Sequence, residues 1–246
     1  PRDRNIGLVF QYPVVYRAIT VRQNLALPLR GDDLSDAEKN DRVEELLTMI
    51  GLQDVADTGV EKLDGGSRQK VAVARAVSRH CPIILFDEPI TNVDPDLKLQ
   101  LKRTLRQLFS RLNQTIIYVT HDQTEAMTLA DEIALMQDGA IEQMAPPREL
   151  YTKSESVFGG WFLGNPGMNF VPAIKDRETV AAICGGELVD AVTSIGFRPE
   201  DVVIDVSEAG PGLQATVDHV AVVTGGQNLV NLTSGDLKLK AKLPWD

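Results

Sequence analysis

Apolar positions along the chain fall into two regimes. Ile6-Gly7-Leu8-Val9-Phe10 is a short apolar run ahead of Gln11, the pattern of a buried strand. Residues 35–52 switch to helical spacing: Asp36 to Glu45 is rich in charge, and Val43, Leu46, Leu47 and Ile50 recur on one face before Gly51 stops the helix. A second helix is expected from near Ser67, with Val71, Ala74 and Val77 on its apolar side. Pro82 introduces Ile83-Ile84-Leu85-Phe86, an unbroken strand that meets Asp87 and Glu88. Asp94-Pro95 pairs a capping side chain with proline at the first helical position, and Leu97, Leu101, Leu105, Leu108 and Leu112 mark the buried stripe of the helix that follows. Ile116 to Val119 is another buried strand, and Asp122-Gln123-Thr124-Glu125 caps a short helix ending around Ala130. Glu132 to Gln137 is a further strand, turned by Asp138-Gly139 into a hairpin with Ile141. Strands alternating with helices predict an α/β fold with a mostly parallel sheet.

After about Pro166 the helical stripes vanish and period two takes over. Leu237, Leu239, Ala241 and Leu243 alternate with Lys238, Lys240 and Lys242, the signature of a half-buried strand. Leu213-Ala215-Val217 and Val220-Val222, with Gly225-Gly226 as a turn, extend this into a small β domain. The expected division is residues 1–167 and 168–246, and both termini are expected to be cut ends. Composition then narrows the function classes. Lys and Arg number 25 against 35 Asp and Glu, a net charge of −10, which disfavours nucleic acid as a partner. Cys81 and Cys184 are too far apart for a metal-ligand pair or a disulfide framework, so a reducing cytoplasm is the simpler setting. No stretch approaches the roughly 18 apolar residues of a membrane-spanning helix.

Four segments carry candidate chemistry. Asp87-Glu88 ends an apolar strand, so one carboxylate can hold Mg²⁺ while its neighbour acts on a water; a solvated acidic turn is the plain alternative. Leu63-Asp64-Gly65-Gly66-Ser67-Arg68-Gln69 sets paired glycines before a helix, where backbone N–H groups and the positive helix end favour phosphate; chain reversal alone would also explain them. His121, in Thr120-His121-Asp122, ends a strand and is either a site residue or a structural hydrogen bonder. Gln11 follows a strand and is uninformative alone.

Taken in order, these segments resemble the ATP-binding-cassette (ABC) ATPases, continuously to about Asn165. Phe10-Gln11 is similar to the family's Gln loop, Leu63 to Gln69 to its signature segment, and Ile84-Leu85-Phe86-Asp87-Glu88-Pro89 to its second acidic phosphate-site motif. Asn92-Val93-Asp94 resembles the Asp loop and Tyr118-Val119-Thr120-His121-Asp122 the switch-histidine segment. Gln123 to Asp131, Gly164 to Phe170 and Phe197-Arg198-Pro199-Glu200 are similar to the sugar and polyol importer branch, typified by maltose and glycerol-3-phosphate systems.

The resemblance implies a RecA-like core with a helical subdomain, here incomplete, followed by a small OB-like β-barrel regulatory domain. It implies ATP and Mg²⁺ as cofactors, with Asp87 and Gln11 near the metal, Glu88 polarising the attacking water and His121 stabilising the γ-phosphate. Asp64, Gly65, Gly66, Ser67 and Asp94 would act toward nucleotide at a dimer interface with a second ATPase subunit. The surface from Gln11 to Val21 would receive the membrane permease, served by a solute-binding protein, at the cytoplasmic face of the inner membrane.

Three departures qualify this. No GxxxxGK[ST] phosphate loop occurs in the 246 residues, which implies missing N-terminal strands and a fragment inactive by itself. In the usual Leu-Ser-Gly-Gly-Gln signature, Asp64 and Ser67 replace Ser and Gln. A carboxylate ~4 Å from a phosphate repels it by about 4 kcal/mol at an effective dielectric of 20. Either Asp64 impairs the composite site, as in a regulatory partner subunit of a heterodimer, or it caps the signature helix. Asp at this position also resembles some glycerol and polyol importers that use two different ATPase subunits. Third, the β domain is shorter than the family's. A soluble ABC ATPase unconnected with transport is the alternative of another class.

Overall fold

In the computed structural model, which describes residues 5–91, 95–112, 114–172, 192–205, 213–223 and 225–244, the three apolar runs become Ile6–Val9 (β1), Ile83–Asp87 (β2) and Thr115–Val119 (β3). They pair in parallel with β2 in the middle. Contacts divide the chain into two units, Pro1–Ala130 and Asp131–Asp246. The expected change of character at 167/168 falls inside the second.

In the first unit, Val21–Ala26 (α1), Asp36–Ile50 (α2), Gly65–Val77 (α3) and Pro95–Phe109 (α4) build one core with the sheet. Ser35 and Glu38 form a reciprocal capping box on α2 that the sequence reading did not single out, and Gly51 ends that helix in the left-handed conformation (φ 66°), as the sequence pattern predicts. The expected stripes are largely the buried ones: Val43, Leu46, Leu47 and Ile50 on α2, Val71, Ala74 and Val77 on α3, and Leu101, Leu105 and Leu108 on α4, whereas Leu97 is only half-buried and Leu112, also half-buried, lies beyond the end of α4. Gly7 lets α3 lie close on β1, since a Cβ there would sit 3.2 Å from the Ala76 carbonyl oxygen. Buried Asn24 knits the loop before α1 to the helix: Nδ2 donates to the Tyr16 and Thr20 carbonyls and Oδ1 accepts the Tyr16 N–H.

The strands depart from expectation in one respect. β1 and β3 are buried on one face only. Register places Val9, Phe86 and Tyr118 in one row and Leu8, Leu85 and Ile117 in the next, on opposite faces. Phe86 is fully buried, stacking on Tyr118 and meeting the edge of Phe109. On the other face Ile6, Leu8, Ile117 and Val119 are 44–53% exposed. An unbroken apolar run signals a strand that wants cover on both sides; among the described residues the helices cover only one.

In the second unit Ile133–Gln137 (β4) and Ala140–Ala145 (β5) form the expected hairpin, with Asp138 and Gly139 both at positive φ in the turn. The short helices Pro147–Thr152 (α6) and Val157–Phe162 (α7) follow. Asn169–Pro172 (β6) pairs antiparallel with Ser194–Phe197 (β7), and Thr216–Val223 (β8), Gln227–Ser234 (β9) and Leu237–Leu243 (β10) make an antiparallel meander. Val171, Val230, Leu232, Leu239 and Ala241 share one small core, with Lys238 and Lys240 outward as the alternation requires.

Arg198 is the polar centre of this unit. It is 3% exposed, its Nε and Nη2 donate to the Tyr151 carbonyl, and its Nη1 donates to the carbonyls of Gly160 and Leu163. One guanidinium thus satisfies carbonyls at the C-terminal ends of α6 and α7, where a cation is also favoured by the helix dipoles. Arg198→Met keeps the aliphatic stem but leaves these carbonyls without their donor. It is expected to cost about 3 kcal/mol in equilibrium denaturation. Arg198→Lys should recover only part of this, because one ammonium lacks the planar fork.

Candidate functional site

The centre of the site is set by where β2 ends. Strand alternation puts Asp87 on the open face with Leu85, and its exposed carboxylate makes no hydrogen bond or ion pair to another described residue. Glu88 then leaves the sheet at φ 43°, a left-handed conformation that non-glycine residues seldom adopt. Its backbone is tied down on both sides: its N–H donates to the Val119 carbonyl at 3.0 Å and its own carbonyl accepts the Thr91 N–H at 3.3 Å. A strained backbone held by its surroundings is a feature of functional positions.

Three side chains from different segments meet the Glu88 carboxylate. Gln11 Nε2 donates to Oε2 at 3.3 Å, Thr91 Oγ1 donates to Oε2 at 3.2 Å, and His121 Nδ1 lies 2.9 Å from Oε1. Hydrogen bonding to His121 is the main cause that lowers the Glu88 pKa below the ordinary carboxylate value. The structure therefore brings together Gln11, Glu88 and His121, which lie far apart in sequence, with Asp87 alongside. Thr91 was not singled out by sequence, nor was buried Gln69, whose amide donates to the Pro89 carbonyl and so holds the turn after Glu88 from α3. Gln69 closes the signature-like segment in sequence, but only its place as a glutamine on an otherwise apolar helix face could have marked this contact.

Asp64, Gly65, Gly66 and Ser67 form a second group at the start of α3, with no hydrogen bond to the Glu88 group among the described residues. Asp64 is the N-cap: Oδ1 accepts the Ser67 N–H and Oδ2 the Ser67 hydroxyl, both at 2.8 Å. The two residues that depart from the usual signature are thus bonded to each other. The Ser67 N–H bond is the largest cause of a lowered Asp64 pKa. The glycines differ: a Cβ on Gly66 would meet Leu97 at 3.2 Å, whereas Gly65 faces open space. Asp94 lies outside the described residues. A Mg²⁺ ion takes one or two protein carboxylates and completes its shell with water and phosphate oxygens. Asp87, uncommitted and exposed, fits such a donor set with the Gln11 amide oxygen. No group of three or more His, Cys, Asp or Glu suited to a metal occurs among the described residues.

Comparison with known proteins places this geometry in a family. The ABC transporter family model matches residues 1–91. The chain is 37% identical to the sulfoquinovosyl glycerol transport ATP-binding protein SmoE of Agrobacterium fabrum, over 99% of this chain and 71% of that protein. It is 40% identical to the sn-glycerol-3-phosphate import ATP-binding protein UgpC of Ruegeria pomeroyi, over 86% of this chain and 61% of the relative. With the trehalose import ATP-binding protein SugC of Mycobacterium tuberculosis it shares 39% identity, over 84% of this chain and 53% of the other. Among solved structures, cbiO1 of Clostridium perfringens, part of the ABC transporter complex cbiONQ, superposes with a TM-score of 0.56 at 25% identity, over 62% of this chain and 61% of that one. The chain belongs to the ATP-binding proteins of ABC transporters, and the part that superposes has their mixed helix-and-strand ATPase fold. It spans between about half and 71% of the length of these three curated relatives.

The cap geometry makes a specific expectation for Asp64. Asp64→Ser should leave thermal stability nearly unchanged because serine also caps, whereas Asp64→Ala should lower stability by ~1 kcal/mol. The sign with pH follows from the lowered pKa. The carboxylate's contribution is complete above the unfolded Asp value of about 3.9 and is lost as pH falls through the depressed folded value. Melting curves of the variants at neutral and acid pH check both statements: the Asp64→Ala deficit should shrink in acid.

Proposed function

We propose that the protein is the ATP-hydrolysing, energy-coupling subunit of an ABC importer for sugars or polyols. The observation that carries this reading is the Glu88 carboxylate, oriented by Gln11, Thr91 and His121 from three separate segments. A carboxylate so held, at the end of the middle strand of a parallel sheet, is placed to orient and polarise a water in line with a phosphoryl group. Its lowered pKa keeps it ionised at neutral pH, ready to accept hydrogen bonds from that water. His121, beside it, is placed to stabilise charge on the γ-phosphate. Asp87 and Gln11 would hold Mg²⁺, which when bound supplies positive charge to the phosphate oxygens. Glycerol- and sugar-related solutes are named in the relatives' functions, which supports that solute class.

Two further observations support a larger assembly. The open sheet face, with Leu8, Leu85 and Ile117 beside Asp87, is apolar in a parallel sheet that ordinarily has cover on both sides. The relatives are also longer than this chain. We place the phosphate loop, which these 246 residues lack, on an element that packs against that face. The Asp64 carboxylate is engaged by its own helix, which supports a cap over a charge that spoils a composite site, and so favours a working ATPase over an impaired partner subunit. Residues 1–167 would form the ATPase part and 168–246 an OB-like regulatory part, docked on permease subunits at the cytoplasmic face of the membrane with a second ATPase subunit. No described helix is long and apolar enough to cross a membrane.

Two measurements test this reading. The 246-residue chain alone should show negligible Mg²⁺-dependent ATP hydrolysis, because its sequence has no GxxxxGK[ST] loop to cradle the β- and γ-phosphates; robust turnover by the purified chain sinks the assignment of a missing phosphate loop. In the full-length protein, Glu88→Gln should retain ATP binding and lower kcat by about 10²–10⁴-fold, since the amide keeps the shape but not the basicity. Parental turnover in that variant removes Glu88 as the base.

A further inference from the structure

His121 is exposed, so its own packing does not fix the ring against Glu88. What fixes it lies in the residues on either side. Thr120 donates Oγ1 to Glu125 Oε2 at 2.9 Å and accepts the Asp122 N–H at 3.0 Å. Asp122 caps the helix Gln123–Leu129 (α5) by accepting the N–H groups of Thr124 and Glu125, and takes Lys98 Nζ at 2.8 Å. Glu125 is 1% exposed, which is rare for a glutamate unless it is paired. Its Oε2 also accepts the Tyr118 hydroxyl at 3.0 Å. Its Oε1 lies 3.0 Å from Lys98 Nζ but off the direction of a proper hydrogen bond, so that contact is one of charge. Lys102 stands further out, 3.6 Å from Asp122 and 3.9 Å from Glu125. Two ammonium groups from α4 thus balance the two carboxylates that follow His121, Asp122 and Glu125.

We propose that Lys98 and Glu125 are positioning residues for His121, holding the Thr120–Asp122 turn so that the imidazole stays on the Glu88 carboxylate. The links close a ring. Glu88 is bonded to Thr91, α4 begins four residues later at Pro95, Lys98 in its first turn reaches Asp122 and Glu125, and His121, immediately before Asp122, returns to Glu88. A purely structural joint between α4 and α5 would be made at lower cost with apolar side chains, because burying the Glu125 carboxylate against a half-buried ammonium is costly unless the geometry matters. The proposal rests on the reading of Glu88 and His121 as an ATPase site.

The test uses the full-length protein assembled with its partners. Lys98→Met, which keeps the stem without the charge, and Glu125→Gln, which keeps the shape, should each lower kcat about ten- to a hundredfold with KM for ATP within about twofold, the pattern of a displaced catalytic group. Lys98→Arg, which can still bridge the two carboxylates, should restore most of the rate. Parental kcat in both variants overturns the proposal. So does a joint change of KM and kcat that arginine fails to rescue, since that is how a structural joint behaves. If Lys98→Met does not fold, Glu125→Gln with the same kinetic split decides. Glu88→Gln in the same assay separates the two readings: retained turnover there overturns the ATPase site, whereas lost turnover there with parental kcat in Lys98→Met overturns the positioning role alone.

Discussion

Everything in the first unit depends on the central strand being immovable. β2 is hydrogen bonded to β1 on one side and β3 on the other, and its Ile84 and Phe86 have no exposed surface. A strand so held delivers its last residue, Asp87, and the one that follows it, Glu88, to a fixed point in space. Alternation then sends Asp87 to the open face, and the positive φ of Glu88 swings the next carboxylate away from the strand line. Two adjacent acidic residues thereby acquire different surroundings, one uncommitted and one held by three side chains. Different surroundings for neighbouring carboxylates are what a metal ligand and a general base require.

The signature segment obeys a different constraint. A helix start leaves N–H groups unpaired, and either a ligand or a side chain must meet them. Here Asp64 meets that of Ser67 and accepts the Ser67 hydroxyl as well, so the pair of substitutions is internally compensated. Gly65, with open space where a Cβ would stand, is left as the position at which another molecule can approach the backbone closely, whereas Gly66 is explained by its contact distance to Leu97. Two glycines that look equivalent in sequence thus have separate reasons.

Much of this was legible beforehand because it is local. Helix caps, the Gly51 stop, the Asp138-Gly139 hairpin and the leucine stripe of α4 follow from residue type and spacing over fewer than eight positions. The motif order was legible through family resemblance, and the structure brings Gln11, Glu88 and His121 within bonding distance. Non-local facts were out of reach. Apolar runs cannot say which face of β1 and β3 is covered. No pattern announces that Glu125, third residue of a capped helix, is buried, since a glutamate there ordinarily faces water and the dipole. The left-handed backbone of Glu88 and the bonds from Thr91 and Gln69 arise only once distant segments converge.

The open sheet face and the polar ring at its end belong to one physical argument. Ile6, Leu8, Ile117 and Val119 present branched apolar side chains to water, each giving up stabilisation that burial would return at about 25 cal/mol per Å² of covered surface. The carboxylates nearby already have partners among the described residues: Glu88 and Asp122 are hydrogen bonded, and Glu125 is hydrogen bonded through Oε2 and paired with Lys98 by charge through Oε1. An element that covers the apolar rows therefore gains hydrophobic energy without having to break the hydrogen bonds that orient Glu88 and His121. Among the described residues Asp87 stands on that face without a partner, and a carboxylate without a partner gains most from a cation. Covering the face would also lower the local dielectric and strengthen every charge interaction at the strand end. Packing and the proposed catalysis ask compatible things of this surface: an apolar element to cover the strands, and, on the proposed reading, a cation with its phosphate at their ends.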